Sequence, residues 1–355
     1  MRSLSAVHAA PDTGRRTMYD CNHSRRLTAA KMARSEDAGP SSEASVNRAF
    51  DGFGSTRSFY KQIFNRNSID DKGMRLNAYV HFGTKYQNAY WDGQEMVFGD
   101  GDGEIFDDFT KSTDVIAHEL THGVTEYTAN LEYHGQSGAL NESLSDVFGS
   151  LVKQWTLRQT AEQADWLIGA EVFTPRIAAD ALRSLKAPGT AYDNADFGKD
   201  PQPDHMSRYE MLPDTEQGDW GGVHTNSGIP NKAFYGVATN IGGFSWEAAG
   251  HIWYESLKAS TATTQFQEFA DTTYAKAGQL YGASSNEQKA VVDAWQTVGI
   301  RISGPSVSST DRFSQQQTPM DETDSLLLLN KQLQALSEQL KTVSREVEAL
   351  KLKGE

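Results

Sequence analysis

The chain has one cysteine, Cys21, in 355 residues. No intramolecular disulfide can form, so the fold must rest on packing and, where ligands converge, on metals. Cys21 has no activating neighbours in the sequence and is read as an inert thiol. Long apolar runs are also missing. No stretch approaches ~18 apolar residues, which excludes a helical membrane span. The N-terminus lacks a signal-peptide core: residues 3–10 are too short, His8 interrupts them, and nothing apolar follows the Arg15-Arg16 pair. These absences lead to the expectation of a cytoplasmic protein, or one secreted by a leaderless route. A surplus of positive charge is lacking too. The formal net charge is −14, and phosphate backbones repel an acidic surface. Nucleic acid and anionic membranes are therefore excluded as main partners.

What is present falls into five segments. Residues 1–45 form a polar arm. Arg2, Arg15, Arg16, Arg25, Arg26, Lys31 and Arg34 outnumber Asp12 and Asp20 over its first 34 positions, and the arm is read as solvated. Residues 46–134 begin with an apolar-supplied helix over 45–64. Strands follow at 76–82, 88–91 and 95–98, the last two joined by the hairpin signal Asp92-Gly93. From Asp114 the period becomes helical, with Val115, Ile116, Leu120 and Val124 on one face. Helices dominate residues 135–302. This order, strands first and helices later, predicts an α+β protein with segregated parts. Residues 303–323, rich in Ser, Gln, Pro and Thr, read as a flexible linker. In the last segment, 324–355, Leu326, Leu329, Leu333, Leu336, Leu340, Val343, Val347 and Leu350 alternate spacings of three and four. That seam predicts a coiled coil and a homo-oligomer, packing against its own body being the alternative. Uncharged Asn330, Gln332, Ser337 and Gln339 leave oligomer number and orientation open.

The chemistry starts at His118-Glu-Leu-Thr-His122. Imidazoles four residues apart on a helix share a face and can both reach one zinc ion. Glu119, one step round, is placed to serve as general base to a zinc-bound water. Alone, the pair also reads as two solvated histidines. A catalytic zinc needs a third protein ligand and an open position. Glu142, in Gly138-Ala-Leu-Asn-Glu-Ser-Leu-Ser-Asp146, meets that need. Asp146 shares its helical face and fits the carboxylate that receives the other N–H of His118; its plain alternative is a surface carboxylate.

Four motifs now stand in order: Asn88-Ala-Tyr-Trp91, Asp114-Val-Ile-Ala-His-Glu-Leu-Thr-His122, the Gly138–Asp146 segment, and Gly221-Gly-Val-His-Thr-Asn-Ser-Gly228. Over residues 46–300 the chain resembles the thermolysin-like neutral zinc metallopeptidases (M4 family), and among them the short protealysin-like branch. The resemblance implies a two-domain zincin with its cleft between a β-rich N-terminal domain and a mainly helical C-terminal one. It implies an endopeptidase that cuts on the amino side of large hydrophobic residues, and a dedicated protein inhibitor as a possible partner. It assigns His118, His122 and Glu142 to Zn2+ and Glu119 to proton transfer. Asp146 and Asn141 would support the ligands. Tyr133 and His224 would donate to the oxyanion, with Asp219 orienting His224. Asn88 and Ala89 would pair with an extended substrate, and Arg183 would bind a substrate carbonyl. Phe106, Phe109, Val115, Ile168, Val172 and Leu182 would line the pocket after the scissile bond. Taken singly, His224 reads as a loop histidine, Tyr133 and the apolar six as core, and Arg183 as a surface charge.

The chain also departs from the family. The resemblance leads one to expect a double calcium site, yet only Asp114 and Asp165 remain of it. Lys153 stands where an acidic ligand belongs, and Leu167 and Ala170 replace two more. Lys153 is expected to pair with Asp114 or Asp165 in place of calcium. Asp180 is a candidate for a separate calcium ion. Asp100-Gly-Asp-Gly-Glu104 fails the EF-hand register at Ile105 and Lys111 and reads as a polar turn. No inhibitory propeptide is recognisable in the arm. Two other functions compete with this reading. An idle zinc module displayed by a coiled coil predicts damage at Glu119, Tyr133 or His224, and none is present. A calcium-dependent scaffold conflicts with the depleted ligands.

Overall fold

The computed structural model describes residues 15–303. The linker and the heptad seam at 326–350 lie outside the described residues. The N-terminal half is a mixed sheet over one long helix. Its strands are β1 (Arg16–Asp20), β2 (Lys31–Ser35), β3 (Leu76–Val80), β4 (Ala89–Trp91) and β5 (Glu95–Phe98), in the order β2-β1-β3-β5-β4. β1 and β5 run parallel to β3, while β2 and β4 are antiparallel edge strands. In β3 the alternation Leu76, Ala78, Val80 is buried, as a period of two requires when one face meets a core. That face lies on α1 (Ala44–Phe64), which buries Val46, Ala49, Phe50, Phe53, Phe59 and Tyr60. The helix stops at Asn65, whose left-handed φ of 54° suits a residue type tolerant of that region.

Here the reading of residues 1–45 as a solvated arm is corrected. Arg16 to Ser35 supplies two strands of the sheet. Five-residue strands carrying few apolar side chains leave almost no periodic signal. β1 pairs with β2 on one side and with the distant β3 on the other, and side chains of distant origin anchor it. Tyr19 stacks on Tyr79 with ring centroids 4.9 Å apart. Arg16 grips Glu36 through Nε at 2.9 Å and Nη2 at 2.5 Å, and its Nη1 donates to the Phe50 carbonyl. Cys21 is buried, and burial together with Asp20 and Asp100 pushes its thiol up to about 11, consistent with an inert role.

The hydrogen bonds from Arg16 pull the Glu36 carboxyl down to about 2 from its usual 4.5. A carboxylate whose pKa falls on folding stabilises the native state fully above its unfolded pKa. That contribution is lost as pH falls from about 4.5 toward 2. Glu36→Gln should therefore cost on the order of 1 kcal/mol at pH 7, after allowance for solvent screening, and almost nothing near pH 2. Urea unfolding at the two pH values measures it; a penalty independent of pH would refute it.

The second half is helical. α2 (Thr113–Glu126) and α3 (Gly135–Leu157) pack closely. Gly149 on α3 makes this approach possible: a Cβ there would sit 2.6 Å from the Asp114 carbonyl oxygen. Two short strands follow, β6 (Leu167–Ile168) and β7 (Arg183–Ser184), paired antiparallel. Then come α4 (Asp219–Asn226), α5 (Gly228–Ile241), α6 (Ala248–Ala259), α7 (Phe266–Tyr281) and α8 (Asn286–Thr297). Trp253 of α6 and Trp295 of α8 stack with parallel rings, and Phe269 of α7 meets Trp295 edge-on. A capping box, Gln265 with Glu268, opens α7. The expected α+β class and two-domain division into sheet-rich and helical halves hold. Among the described residues, no helix is long and apolar enough to cross a membrane.

Beside the α2–α3 contact, Lys153 Nζ lies 3.0 Å from both Asp114 Oδ2 and Asp165 Oδ2, and 3.9 Å from Glu171 Oε1. Burial alone would lower the lysine pKa, but Asp114, Glu171 and Asp165 outweigh it and raise it. The ammonium pairs with both expected carboxylates at once. Glu171 joins them, although the sequence did not point to it. Asp180, by contrast, is exposed and belongs to no group of three metal-competent side chains among the described residues.

Candidate active site

α2 points His118 and His122 toward α3, because positions four apart project from one face. Their Nε2 atoms come within 3.1 Å of each other. Glu142 reaches in from α3, with Oε2 3.4 Å from His118 Nε2 and Oε1 3.4 Å from His122 Nε2. These are the only three such side chains that converge among the described residues. Two imidazole nitrogens in contact cannot both carry protons without repulsion; lone pairs facing a shared cation resolve it. The other ring nitrogens enforce that tautomer. His118 Nδ1 lies 2.8 Å from Asp146 Oδ1, and His122 Nδ1 lies 2.8 Å from Asn141 Oδ1, with Ser145 Oγ at 3.2 Å. Both expected supporting residues, Asp146 and Asn141, are thus in place.

The donor set fits zinc. Two imidazoles and a carboxylate are borderline ligands suited to it, and three protein ligands leave a position open. Glu142 Oε2 is fully buried with no hydrogen-bond partner, an expensive state unless a cation faces it. The surrounding imidazoles of His224, His122 and His118 overcome burial and hold this carboxyl ionised, well below the usual carboxylate range.

Glu119 occupies the next position round α2. Burial is the main cause that pushes its carboxyl up to about 7, and the Trp91 backbone N–H at 3.2 Å partly offsets it. Tyr133, just before α3, donates its hydroxyl to Glu142 and lies 3.2 Å from His224 Nε2. His224 sits half exposed on α4. Asp219 accepts from its Nδ1 at 2.6 Å and from the backbone N–H groups of His224 and Thr225 at 2.9 and 3.0 Å. Burial opposes a charge on His224, but Glu142 and Asp219 outweigh it and raise its pKa. The kink that lets Asp219 turn back on the loop uses left-handed backbone at Trp220, Gly221 and Gly222.

A cleft of about 450 Å³ opens over these groups. Asn88 lines it just before β4, and Ala89, Tyr90 and Trp91 line it from that edge strand. Arg183 on β7 clamps Asp146 through Nε and Nη2, both at 2.7 Å, and Asn231 adds a third bond to that carboxylate at 2.9 Å. The six apolar residues are brought together with one another but do not line this cleft. Phe106 and Phe109 lie 5.6 Å apart by ring centroid, Leu182 N–H donates to the Ile168 carbonyl, and Leu182 and Val172 both close on Gly169. Val115 is buried in the same core.

The sequence reading missed Trp91, whose backbone N–H steadies Glu119 and whose indole N–H donates to Glu126 at 3.1 Å. It lay inside a quoted motif, but a backbone amide carries no residue signature. Ser145, Asn231 and Gln202, which donates to the His224 carbonyl at 2.8 Å, were missed for a related reason. Each acts on a residue far away in the chain.

Known proteins bear on this geometry. Residues 5–126 match the catalytic domain of thermolysin metallopeptidases, and residues 129–300 match their alpha-helical domain. Protease PrtS of Photorhabdus sp. (strain Az29) is 48% identical over 82% of this chain and 78% of its own. An extracellular metalloprotease of Pectobacterium carotovorum subsp. carotovorum is 49% identical over 81% of each. The solved precursor of protealysin, a metalloproteinase from Serratia proteamaculans, is 51% identical and superposes with a TM-score of 0.77 over 81% of this chain and 87% of that one. The expected cytoplasmic location is overturned by these relatives, one of which is named as extracellular. A cleft holding two α2 histidines, an α3 glutamate and a partly buried α2 carboxyl, on a chain matched over both domains, places it in the thermolysin metallopeptidase family, near protealysin, as a zinc-dependent endopeptidase.

Proposed function

We propose that the enzyme cuts peptide bonds on the amino side of large hydrophobic residues, with Glu119 as general base. The observation that carries this reading is the placement of a partly buried carboxyl, that of Glu119, and an open sheet edge on one cleft. His118, His122 and Glu142 would hold zinc, which would supply Lewis acidity to a water and to the scissile carbonyl. Glu119 takes the proton from the attacking water and delivers it to the leaving amine. Tyr133 Oη–H and His224 Nε2–H donate to the oxygen that gains charge, and Asp219 keeps His224 protonated and aimed. Asn88, Ala89 and the free edge of β4 pair with an extended substrate. Arg183 binds a substrate carbonyl while holding Asp146. Phe106, Phe109, Val115, Ile168, Val172 and Leu182 do not line the cleft itself; in this reading their apolar cluster takes the following side chain beside it, where burying a Leu or Phe contributes roughly 1.5–3 kcal/mol.

Mapping the cut sites in casein by mass spectrometry tests the specificity. Leu, Phe and Ile should follow most of the cut bonds, and Leu182→Arg should cut kcat/KM on such bonds by about tenfold or more. Cuts spread evenly over residue types would remove the apolar pocket. We further propose that the enzyme works outside the cell, as the name of the Pectobacterium relative states of that protein. Association through residues 326–350 and a dedicated protein inhibitor remain proposals from the sequence.

A further inference from the structure

On another part of the catalytic body, a pocket of about 500 Å³ is walled by three aromatic side chains. Trp155 comes from the C-terminal turn of α3, and Phe244 and Trp246 from the connection between α5 and α6. Phe244 and Trp246 stack with centroids 4.5 Å apart and planes 20° apart. Gln62 of α1, Arg158 just past α3 and Glu247 just before α6 also line it. None of these three side chains hydrogen bonds to another group among the described residues, and neither indole N–H has a protein partner. Trp155 lies thirteen residues beyond Glu142 on α3, roughly 20 Å along the helix, so the pocket is separate from the zinc cleft.

We propose that this pocket binds a sugar ring. Aromatic walls present a negative π face, and the C–H groups on one side of a pyranose are weakly positive and flat. Around that face a sugar carries hydroxyls that both donate and accept. Gln62 supplies an amide with both functions, Arg158 and the indoles supply donors, and Glu247 supplies acceptors. The opposite charges of Arg158 and Glu247 disfavour a net anion or a net cation and leave a neutral ligand. A purely apolar ligand would strip water from these three polar groups without replacing its hydrogen bonds. The pocket lies within the size range of small-molecule sites. On an enzyme that attacks proteins, a sugar site would tether glycosylated substrates and raise their concentration at the cleft.

The test uses the zinc-loaded full chain and saturation-transfer NMR with glucose, galactose and N-acetylglucosamine, beside indole as an apolar probe and inorganic phosphate as an anionic competitor read by its displacement of the sugar signal. At least one sugar should bind saturably with a Kd of about 1–10 mM. Gln62→Ala and Glu247→Ala, both at exposed positions, should each weaken it about five- to tenfold. Both variants should cleave a short unglycosylated peptide at the wild-type rate. That readout keeps this proposal separable from the one for the catalytic cleft. Trp155→Phe, which keeps a ring, should weaken binding without loss of fold. No saturable sugar signal up to about 100 mM, tighter binding of indole or phosphate than of every sugar, or unchanged affinity in the Gln62 and Glu247 variants would each overturn it.

Discussion

Replacing Glu119 by Gln should leave zinc bound and lower kcat on a peptide by about 10³- to 10⁴-fold. The amide keeps the shape and the Trp91 hydrogen bond partner but cannot accept a proton. Burial holds the native carboxyl up at about 7, near the pH where a base best combines availability with strength. Glu119 is not among the three converging ligands, so metal content should stay at one ion per chain. Tyr133→Phe and His224→Ala should each cost less, about 10²- to 10³-fold, because one oxyanion donor survives each change. Zinc stoichiometry by mass spectrometry beside kcat measurements checks all three. Glu119→Gln protein that holds zinc and still cleaves at a tenth of the wild-type rate would remove the proton-transfer role.

Replacing Lys153 by Met should destabilise the catalytic body by roughly 3–5 kcal/mol. The argument turns on Asp114, which is fully buried at the start of α2. Its Oδ2 contacts the Lys153 ammonium, while Ser112 and the Gly169 N–H serve Oδ1. Methionine fills the volume but leaves that carboxylate without its cation. Removing one member of a buried pair is costly, whereas replacing the whole pair with apolar residues can be neutral. Lys153→Met combined with Asp114→Leu should therefore recover much of the loss. With the ammonium present, EGTA should not shift the wild-type melting temperature through this cluster. Thermal and urea unfolding of the wild type and both variants measure these effects. A single-variant penalty under 1 kcal/mol, or a wild-type melting temperature that falls on calcium removal through Asp114, would show that lysine does not take the cation's place.

Both predictions rest on residues that were visible in the sequence, because helical spacing converts directly into geometry. His118, Glu119 and His122 lie on one helix, so their relation follows from 3.6 residues per turn. Glu142 and Asp146 share a second helix in the same way. The strands of residues 16–35 were not legible, because β1 also needs the distant β3, β2 pairs only with β1 among the described residues, and short polar strands carry no periodic mark of their own.

By itself, then, the sequence pointed to the three converging side chains, the carboxyl beside them, the division into a sheet-rich and a helical half, and the lysine standing among acidic residues. Only the tertiary structure decided that Trp91 steadies Glu119 through a backbone amide, that Glu171 joins the lysine cluster, that the six apolar residues pack beside the cleft instead of lining it, and that an aromatic pocket opens at the far end of α3. The physical reason is the range of the interactions. Spacing along one element is set by local backbone geometry, while a contact between elements depends on how closely they pack, and at Gly149 that distance is set by a missing methyl group.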